Sequence, residues 1–147
     1  MGSSLPAPIE NVPVTAVWAR LESDQASVLI DVRTAAEWAF VGVPDLSRIG
    51  KKPVFVEWQS FPDNRVDPGF GERLTAALSE LRTRKDDELF FLCRSGGRSH
   101  SAAQLMAVQG FQKCRNVAEG FEGPLDENRH RGRTSGWRFS GLPWVQG

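Results

Sequence analysis

The chain has little cysteine and histidine for its 147 residues, and this scarcity excludes two classes of small protein. Two cysteines, Cys93 and Cys114, are too few for a disulfide framework. Together with the two histidines, His100 and His130, they stand at scattered spacings that match no common metal site. We therefore expect no metal and no cofactor, and a cytoplasmic protein that carries free thiols.

The chain also lacks an excess of charge and any long apolar run. Its 18 basic and 18 acidic residues give a formal net charge of zero. This balance argues against bulk binding to nucleic acid or to an anionic membrane, although it leaves room for a local basic site. No apolar run approaches the length of a membrane span, and the first residues lack the charged and apolar regions of a secretion signal.

The length and composition are those of an ordinary globular domain. Hydrophobic residues make up 40% of the chain and charged residues 24%. A chain of 147 residues fits one domain around a single core. We expect residues 1–13, which prolines punctuate, to be a flexible lead-in, and residues 14–147 to form that domain.

Strand patterns and helix patterns alternate along the chain, which is typical of an α/β fold. The segment Thr34-Ala35-Ala36-Glu37 matches a capping box and predicts a helix directly after a buried strand. The predicted elements are a helix capped by Thr15, a strand over 28–32, the helix opened by Thr34, a strand over 53–58, a helix through Leu74 and Leu81 that ends near Lys85, a strand over 89–92, a helix from Ser99 to about Val108, and a strand over 114–117.

One polar loop dominates the chemistry that the sequence offers. After the apolar strand the chain reads Cys93-Arg94-Ser95-Gly96-Gly97-Arg98-Ser99. The two glycines let the backbone curl with its N–H groups facing inward, and Ser99 is a suitable N-cap for the next helix. Inward N–H groups, the positive end of a helix and two arginines would favour the reactive thiolate of Cys93. The alternative is an inert core cysteine at a strand end.

This loop resembles the active-site loop of the rhodanese family of sulfurtransferases. The resemblance extends over about residues 14–144 and includes further matching residues: Asp31-Val32-Arg33, Glu37-Trp38, Pro44, Gly120, Trp137 and Gly141-Leu142-Pro143. It implies a central, mostly parallel five-stranded sheet flanked by helices on both faces. It also implies the transfer of a sulfane sulfur, through a Cys93 persulfide, from thiosulfate or a similar anionic donor to cyanide or a thiol.

The resemblance assigns roles to the loop residues. Cys93 is the expected nucleophile, and residues 94–99 are the expected binding loop for the substrate and the persulfide. Arg94 is expected to steer the donor dianion. Arg98 either shares that task or braces the loop through a salt bridge. A protein thiol is a possible sulfur acceptor besides small molecules.

Supporting residues are predicted near two other strand ends. Asp31 and Arg33 are expected to pair and hold the end of their strand, with a position of Arg33 near the substrate anion as the alternative. Trp58 and Phe61 follow the strand over 53–58, at the ligand-binding side of a parallel sheet. They are candidates for a pocket wall, and core packing is the alternative for both.

Three segments depart from the family or stay open. Residues 41–46 stand where family members commonly read Gly-His-Ile-Pro-Gly-Ala, and Gly42 replaces the histidine. Cys114 either resolves a disulfide with Cys93 or is an inert buried thiol. The basic segment from Arg129 to Arg133 is either a solvated loop or a rim for an acidic partner.

Two other functions compete with sulfur transfer. Related phosphatases and arsenate reductases have a longer loop with the pattern Cys-x5-Arg, whereas Arg98 gives Cys-x4-Arg here. The shorter loop suits a terminal sulfur better than a tetrahedral phosphate. A non-catalytic rhodanese-like binding or regulatory module is the other alternative, although such modules often lack the cysteine that this chain keeps.

Overall fold

The structure is a computed structural model and describes residues 8–60, 63 and 65–146. Its elements, in chain order, are β1 (Glu10–Val12), α1 (Val14–Ser23), β2 (Val28–Asp31), α2 (Ala35–Val41), β3 (Val43–Pro44), a 3-10 turn (Ser47–Ile49), β4 (Val54–Phe55), β5 (Gln59–Ser60), β6 (Arg65–Val66), α3 (Phe70–Glu80), β7 (Glu88–Leu92), α4 (Gly97–Val108), β8 (Lys113–Val117) and β9 (Trp144–Val145).

A five-stranded sheet lies at the centre of the fold, in the order β1-β8-β7-β2-β4. Every pair of neighbouring strands in it is parallel. The middle strand β7 is paired on both sides, with Phe91 opposite Ile30 of β2 and Asn116 of β8. This arrangement confirms the predicted α/β fold and explains why β7 is apolar throughout after Glu88, since such a strand is covered on both faces.

Helices cover both faces of the sheet, and the sheet divides the hydrophobic core into two clusters. On one face, Phe91 of β7 packs in a cluster that contains Leu74 of α3 and Met106 of α4. On the other face, Phe90 packs in a cluster that contains Val17 of α1 and Trp137. Adjacent residues of a strand point to opposite faces, so β7 contributes side chains to both clusters. No helix within the described residues is long and apolar enough to cross a membrane.

The helix boundaries differ from the predicted ones. The capping box of Thr34 and Glu37 is present. However, α1 begins at Val14, because the N–H of Val17 already bonds the carbonyl of Pro13, and Thr15 therefore does not cap it. Helix α3 ends at Glu80, well before Lys85. Two residues after its end, Arg82 takes a positive φ of 60° and turns the chain.

Two strand predictions are corrected as well. The strand expected over 53–58 is reduced to Val54–Phe55, although the N–H groups of Val56 and Trp58 still bond carbonyls of the neighbouring segment. Residues 10–12 of the expected lead-in form the edge strand β1, which pairs with β8. Residues 1–7 of that lead-in lie outside the described residues, and so does Phe61.

A tight turn after β8 supports the loop that follows β7. The N–H of Phe121 bonds the carbonyl of Cys93 at 2.8 Å, and the N–H of Glu122 bonds the carbonyl of Arg94 at 3.0 Å. Gly120 makes this approach possible. Its φ is +70°, and a Cβ there would lie 2.5 Å from the carbonyl oxygens of both Cys93 and Arg94. The turn therefore requires glycine for conformation and for space.

We expect the substitution Gly120→Ala to destabilise the protein more than Gly50→Ala. Both glycines have φ of +70°, but a Cβ at Gly50 meets nothing within 4 Å. Backbone strain alone costs about 1–2 kcal/mol, and the clash at Gly120 adds about 1–3 kcal/mol. Urea unfolding of the two variants measures the difference. Equal losses of stability would contradict the role given to the close approach.

Candidate active site

Cys93 lies where β7 ends and α4 begins, at the carboxyl edge of the parallel sheet. Its Sγ accepts a hydrogen bond from the N–H of Gly96 at 3.1 Å and lies 3.2 Å from Oγ of Ser99. The first N–H groups of a helix have no acceptor within the helix and give that end a partial positive charge. Cys93 is 1% exposed, so the sulfur is recessed at the positive end of α4.

The loop is tighter than the sequence predicts. Helix α4 begins at Gly97, and Gly96 takes the capping position with φ of 115°, which a residue with a side chain rarely adopts. Ser99 therefore lies inside the helix and does not cap it. Among the described residues, Gly96 supplies the one backbone N–H that bonds Sγ, fewer than the several inward N–H groups that the loop sequence predicts.

The hydroxyl of Ser99 connects Cys93 to a polar network that the sequence analysis missed. Ser99 Oγ lies 2.5 Å from Oδ1 of Asn116 in β8. The Asn116 amide nitrogen donates to the carbonyl of Gly96 at 3.0 Å and to Oδ1 of Asn11 at 2.9 Å. A buried polar residue among the apolar positions of a strand was the one available signal, because such a side chain needs partners inside the protein.

Arg98 braces the loop through Glu37 of α2. Its two terminal nitrogens bond the two carboxylate oxygens at 2.7 and 2.9 Å. Burial raises the pKa of the Glu37 carboxyl, but the hydrogen bond and charge of Arg98, with help from Thr34, outweigh burial and lower this pKa from 4.5 to about 2. The same pairing, opposed by burial, raises the pKa of Arg98. This contact is the one expected if Arg98 braces the loop through a salt bridge.

Arg94, which directly follows Cys93, is an exposed charge of the loop. It lines an open cavity of about 410 Å³ together with Glu37, Phe40, Gln59 and Arg98. Within the part of the chain that the structure describes, Arg94 forms no ion pair, whereas Arg98 is held by Glu37. The cavity therefore presents a positive charge that is suited to an anion.

A second open depression lies on the other side of the loop. Ser95 and Gly97 line it together with His100 and Glu119, and its volume is about 480 Å³. Ser95 is exposed there, and neither residue contacts Sγ. In the described ranges no group of three or more His, Cys, Asp or Glu side chains is placed to hold a metal ion.

Asp31 and Arg33 form a completely buried ion pair, as the sequence predicts. Arg33 bonds the Asp31 carboxylate at 2.8 and 3.0 Å and also donates to the carbonyl of Gly42 at 2.8 Å. Its guanidinium carbon lies 4.3 Å from the ring centre of Phe121. Neither residue lines the cavity beside Arg94, so this pair holds the end of β2 and does not reach a substrate there.

The C-terminal segment explains the departure at Gly42. Strand β9 pairs with β3, and a Cβ at Gly42 would lie 2.8 Å from the carbonyl of Val145 and 2.9 Å from the ring of Trp144. The φ of Gly42 is +111°. A histidine at this position would collide with the tail.

Trp58 belongs to the core. Its ring meets that of Phe70 edge-on, with the ring centres 5.0 Å apart, and it does not line the cavity beside Arg94. Of the two roles considered for Trp58, pocket wall and core packing, this contact matches core packing. The pocket-wall prediction for Phe61 lies outside the described residues.

Cys114 is too far from Cys93 to form a disulfide. Cys114 stands opposite Leu89 in the sheet, and Cys93 follows four residues later on β7. At about 3.3 Å per residue the two are about 13 Å apart, whereas a disulfide needs Cα atoms within about 7 Å. Burial also raises the pKa of the Cys114 thiol to about 12. Cys114 is therefore an inert core residue.

The basic segment is partly tied to the fold. Arg131 donates to the carbonyl of Gly123 at 2.9 Å, and the backbone of His130 bonds Asp126. Arg129 and Arg133 are exposed. The segment therefore keeps two exposed basic side chains, which are compatible with either a solvated loop or a rim for an acidic partner.

We expect the substitution Glu37→Gln to destabilise the protein at neutral pH but not in acid. The native pKa of Glu37 is about 2, below its ordinary 4.5, so the stabilisation by its carboxylate is complete above pH 4.5 and disappears as the pH falls towards 2. Urea midpoints of the wild type and the variant should differ at pH 7 and converge near pH 2–3. Glu22→Gln, at an exposed position of α1, is the control and should show no such convergence.

The chain resembles known proteins over nearly its whole length. A family model described as STR4 middle domain matches residues 10–147. The crystal structure of Rv0390 from M. tuberculosis is 43% identical with a TM-score of 0.81, and the match covers 96% of this chain and 100% of that one. An uncharacterized protein of Rickettsia conorii is 34% identical over 92% of this chain and 97% of its own length.

Two further relatives have descriptive names. The chloroplastic rhodanese-like domain-containing protein 4 of Arabidopsis thaliana is 28% identical over 88% of this chain and 24% of its own length. The putative sulfur carrier protein YrkF of Bacillus subtilis is 29% identical over 76% of this chain and 49% of its own length. With the parallel sheet and the cysteine loop described above, these matches show that the chain belongs to the single-domain rhodanese family.

Proposed function

We propose that this protein is a sulfurtransferase that carries a sulfane sulfur on Cys93 as a persulfide. The observation that carries the proposal is the position of Sγ, recessed at the positive end of α4 and bonded by the N–H of Gly96. Such a site stabilises a negative charge on or next to the sulfur. The family membership supports the same chemistry, and one relative is named a putative sulfur carrier protein.

The first step takes sulfur from an anionic donor such as thiosulfate. The Cys93 thiolate attacks the outer sulfur, a bond forms between Sγ and that sulfur, and the bond to the sulfonate sulfur breaks. Sulfite leaves with the electron pair and needs no general acid. Arg94 attracts the dianion to the cavity, because its charge is exposed and forms no ion pair among the described residues.

The second step passes the sulfur to an external acceptor. Cyanide or a thiolate attacks the outer sulfur, the sulfur–sulfur bond to Sγ breaks, and the Cys93 thiolate returns. Cys114 does not take part, because it stands about 13 Å along the sheet from Cys93. A protein thiol is included among the possible acceptors. Both cysteines are free, so we place the reaction in a reducing compartment such as the cytoplasm.

The burial of Sγ also favours sulfur transfer over phosphate chemistry. The outer sulfur of thiosulfate is a terminal atom that a buried thiolate reaches more easily than the phosphorus of an ester, which is surrounded by four oxygens. Arg98 bonds Glu37 with both terminal nitrogens, so it is not arranged to grip a phosphate. Parallel assays with thiosulfate plus cyanide, an aryl phosphate and arsenate separate these activities, and a binding module would be inactive in all three.

We expect thiosulfate to increase the intact mass of the protein by one sulfur atom, reversibly on adding cyanide. Cys93→Ser should fold normally, acquire no mass and lose turnover, because it lacks the nucleophile. Cys114→Ala is the matched control and should still take up sulfur. A folded, reduced wild-type protein that stays unmodified would sink the proposed function.

We expect Arg94→Ala to raise the KM for thiosulfate by about fivefold to tenfold with a smaller change in kcat, because one charge-assisted contact is lost. The difference from the wild type should shrink as salt screens the charge. Arg133→Ala removes an equally exposed arginine from the basic segment and should leave KM unchanged. A KM that is insensitive to Arg94 at all salt concentrations would contradict the steering role.

A further inference from the structure

A chain of side-chain hydrogen bonds runs from Cys93 to the edge of the sheet. Sγ lies 3.2 Å from Ser99 Oγ, which lies 2.5 Å from Asn116 Oδ1. The amide nitrogen of Asn116 then reaches Oδ1 of Asn11 in β1. Ser99 and Asn116 are only 0% and 4% exposed, so water does not replace these contacts.

The amide of Asn116 has one permitted orientation. The carbonyl of Gly96 lies 3.0 Å from it and can only accept, so the amide nitrogen must face that carbonyl. The oxygen Oδ1 is then directed at Ser99. Ser99 Oγ also lies 3.3 Å from the carbonyl oxygen of Gly96, but its much shorter approach to Oδ1, which has no proton, places the single hydroxyl proton between Oγ and Oδ1.

This arrangement decides what Ser99 offers to the sulfur. With its proton committed to Asn116, Oγ presents a lone pair to Sγ, which suits an S–H group that donates to it. The N–H of Gly96 meanwhile donates to the sulfur. A thiolate would face that lone pair with its negative charge. To stabilise a thiolate, Ser99 must turn its proton away from Asn116 and leave a buried amide oxygen without a donor, which is costly.

We propose that Asn116 is a positioning residue for Cys93. It acts through the single proton of Ser99, keeps Cys93 in the thiol form and thereby sets the pH at which Cys93 becomes nucleophilic. The inference takes Cys93 as the nucleophile of the proposed function. It concerns only the protonation of the thiol, however, and alkylation measures this without any sulfur donor.

Other charged and titratable groups lie on the loop and on the elements packed around it. They are Arg94, Arg98 and His100 on the loop and α4, Glu37 on α2, Asp31 and Arg33 at the end of β2, and Glu119 after β8. All of them are retained in the variants below, so differences between these variants report on Asn116 and Ser99.

The test is the pH dependence of Cys93 alkylation by iodoacetamide, located by peptide mass spectrometry. In this reaction Sγ bonds the methylene carbon, iodide leaves with the electron pair, and the thiol proton passes to buffer. Asn116→Leu keeps the branched shape and frees the Ser99 hydroxyl to donate to the thiolate. We expect the midpoint of the rate profile to fall by about one pH unit. Below the midpoint the rate should rise only about threefold, since a less basic thiolate is less nucleophilic.

A double-mutant cycle separates this proton effect from loosening of the structure. In a Ser99→Ala background, adding Asn116→Leu should leave the midpoint unchanged. Val117→Ala weakens the same strand and should lower the thermal midpoint without moving the pH midpoint. If Asn116→Leu does not fold, Asn116→Val also removes the acceptor of the Ser99 proton, and it should lower the midpoint with Ser99 present but not when Ser99 is alanine.

Two results would overturn the inference. One is an unchanged midpoint in folded Asn116→Leu protein, and the other is the same downward shift with or without the Ser99 hydroxyl. Failure of the proposed function looks different, because the alkylation profile would still depend on Asn116 while thiosulfate left no persulfide on Cys93.

Discussion

The two-pronged contact between Arg98 and Glu37 is the interaction on which the geometry of the site depends. It ties the first turn of α4 to the first turn of α2, and Glu37 simultaneously completes the capping box with Thr34. One carboxylate thus fixes the start of two helices. Because Cys93 lies directly before α4, the position of its sulfur relative to the cavity follows from this contact. The pairing also commits one loop arginine to structure and leaves Arg94 to meet a ligand.

Backbone contacts hold the loop from its other side. The turn at Gly120 directs two N–H groups at the carbonyls of Cys93 and Arg94, and it can do so only because residue 120 has no side chain. Beneath it, the buried Asp31–Arg33 pair holds the end of β2 and packs against Phe121. Removing one member of such a pair typically costs about 3–5 kcal/mol, since the other charge stays buried. The loop is therefore rigid by construction, as an anion-stabilising site requires.

The polar contacts of the sulfur act in opposite directions. The helix terminus, the N–H of Gly96 and the arginines favour negative charge at Cys93. The oxygen of Ser99, directed by Asn116, favours the protonated thiol. Because these contacts oppose each other, the site can hold Cys93 as the thiol and still accommodate the thiolate that reacts.

The sequence by itself determined the features that depend on neighbouring residues. The apolar strand before Cys93, the glycine-rich loop, the capping box at Thr34 and the alternation of strands with helices are local patterns, and each is present in the structure. The buried pairing of Asp31 with Arg33 is equally local, since the two stand only two positions apart in the chain. These features were enough to predict the fold class and to single out Cys93.

Only the tertiary structure decided which distant residues complete the site. Arg98 and Glu37 are 61 positions apart, and Asn116 and Asn11 are 105 apart, so no local pattern relates them. Strand β1 was hidden within a proline-rich segment because an edge strand of three residues has too few positions to show periodicity. The start of α4 at Gly97 depends on the left-handed backbone of Gly96, which contacts with β8 hold in place. Packing, and not local preference, settles such details, because it brings together side chains that the chain order separates.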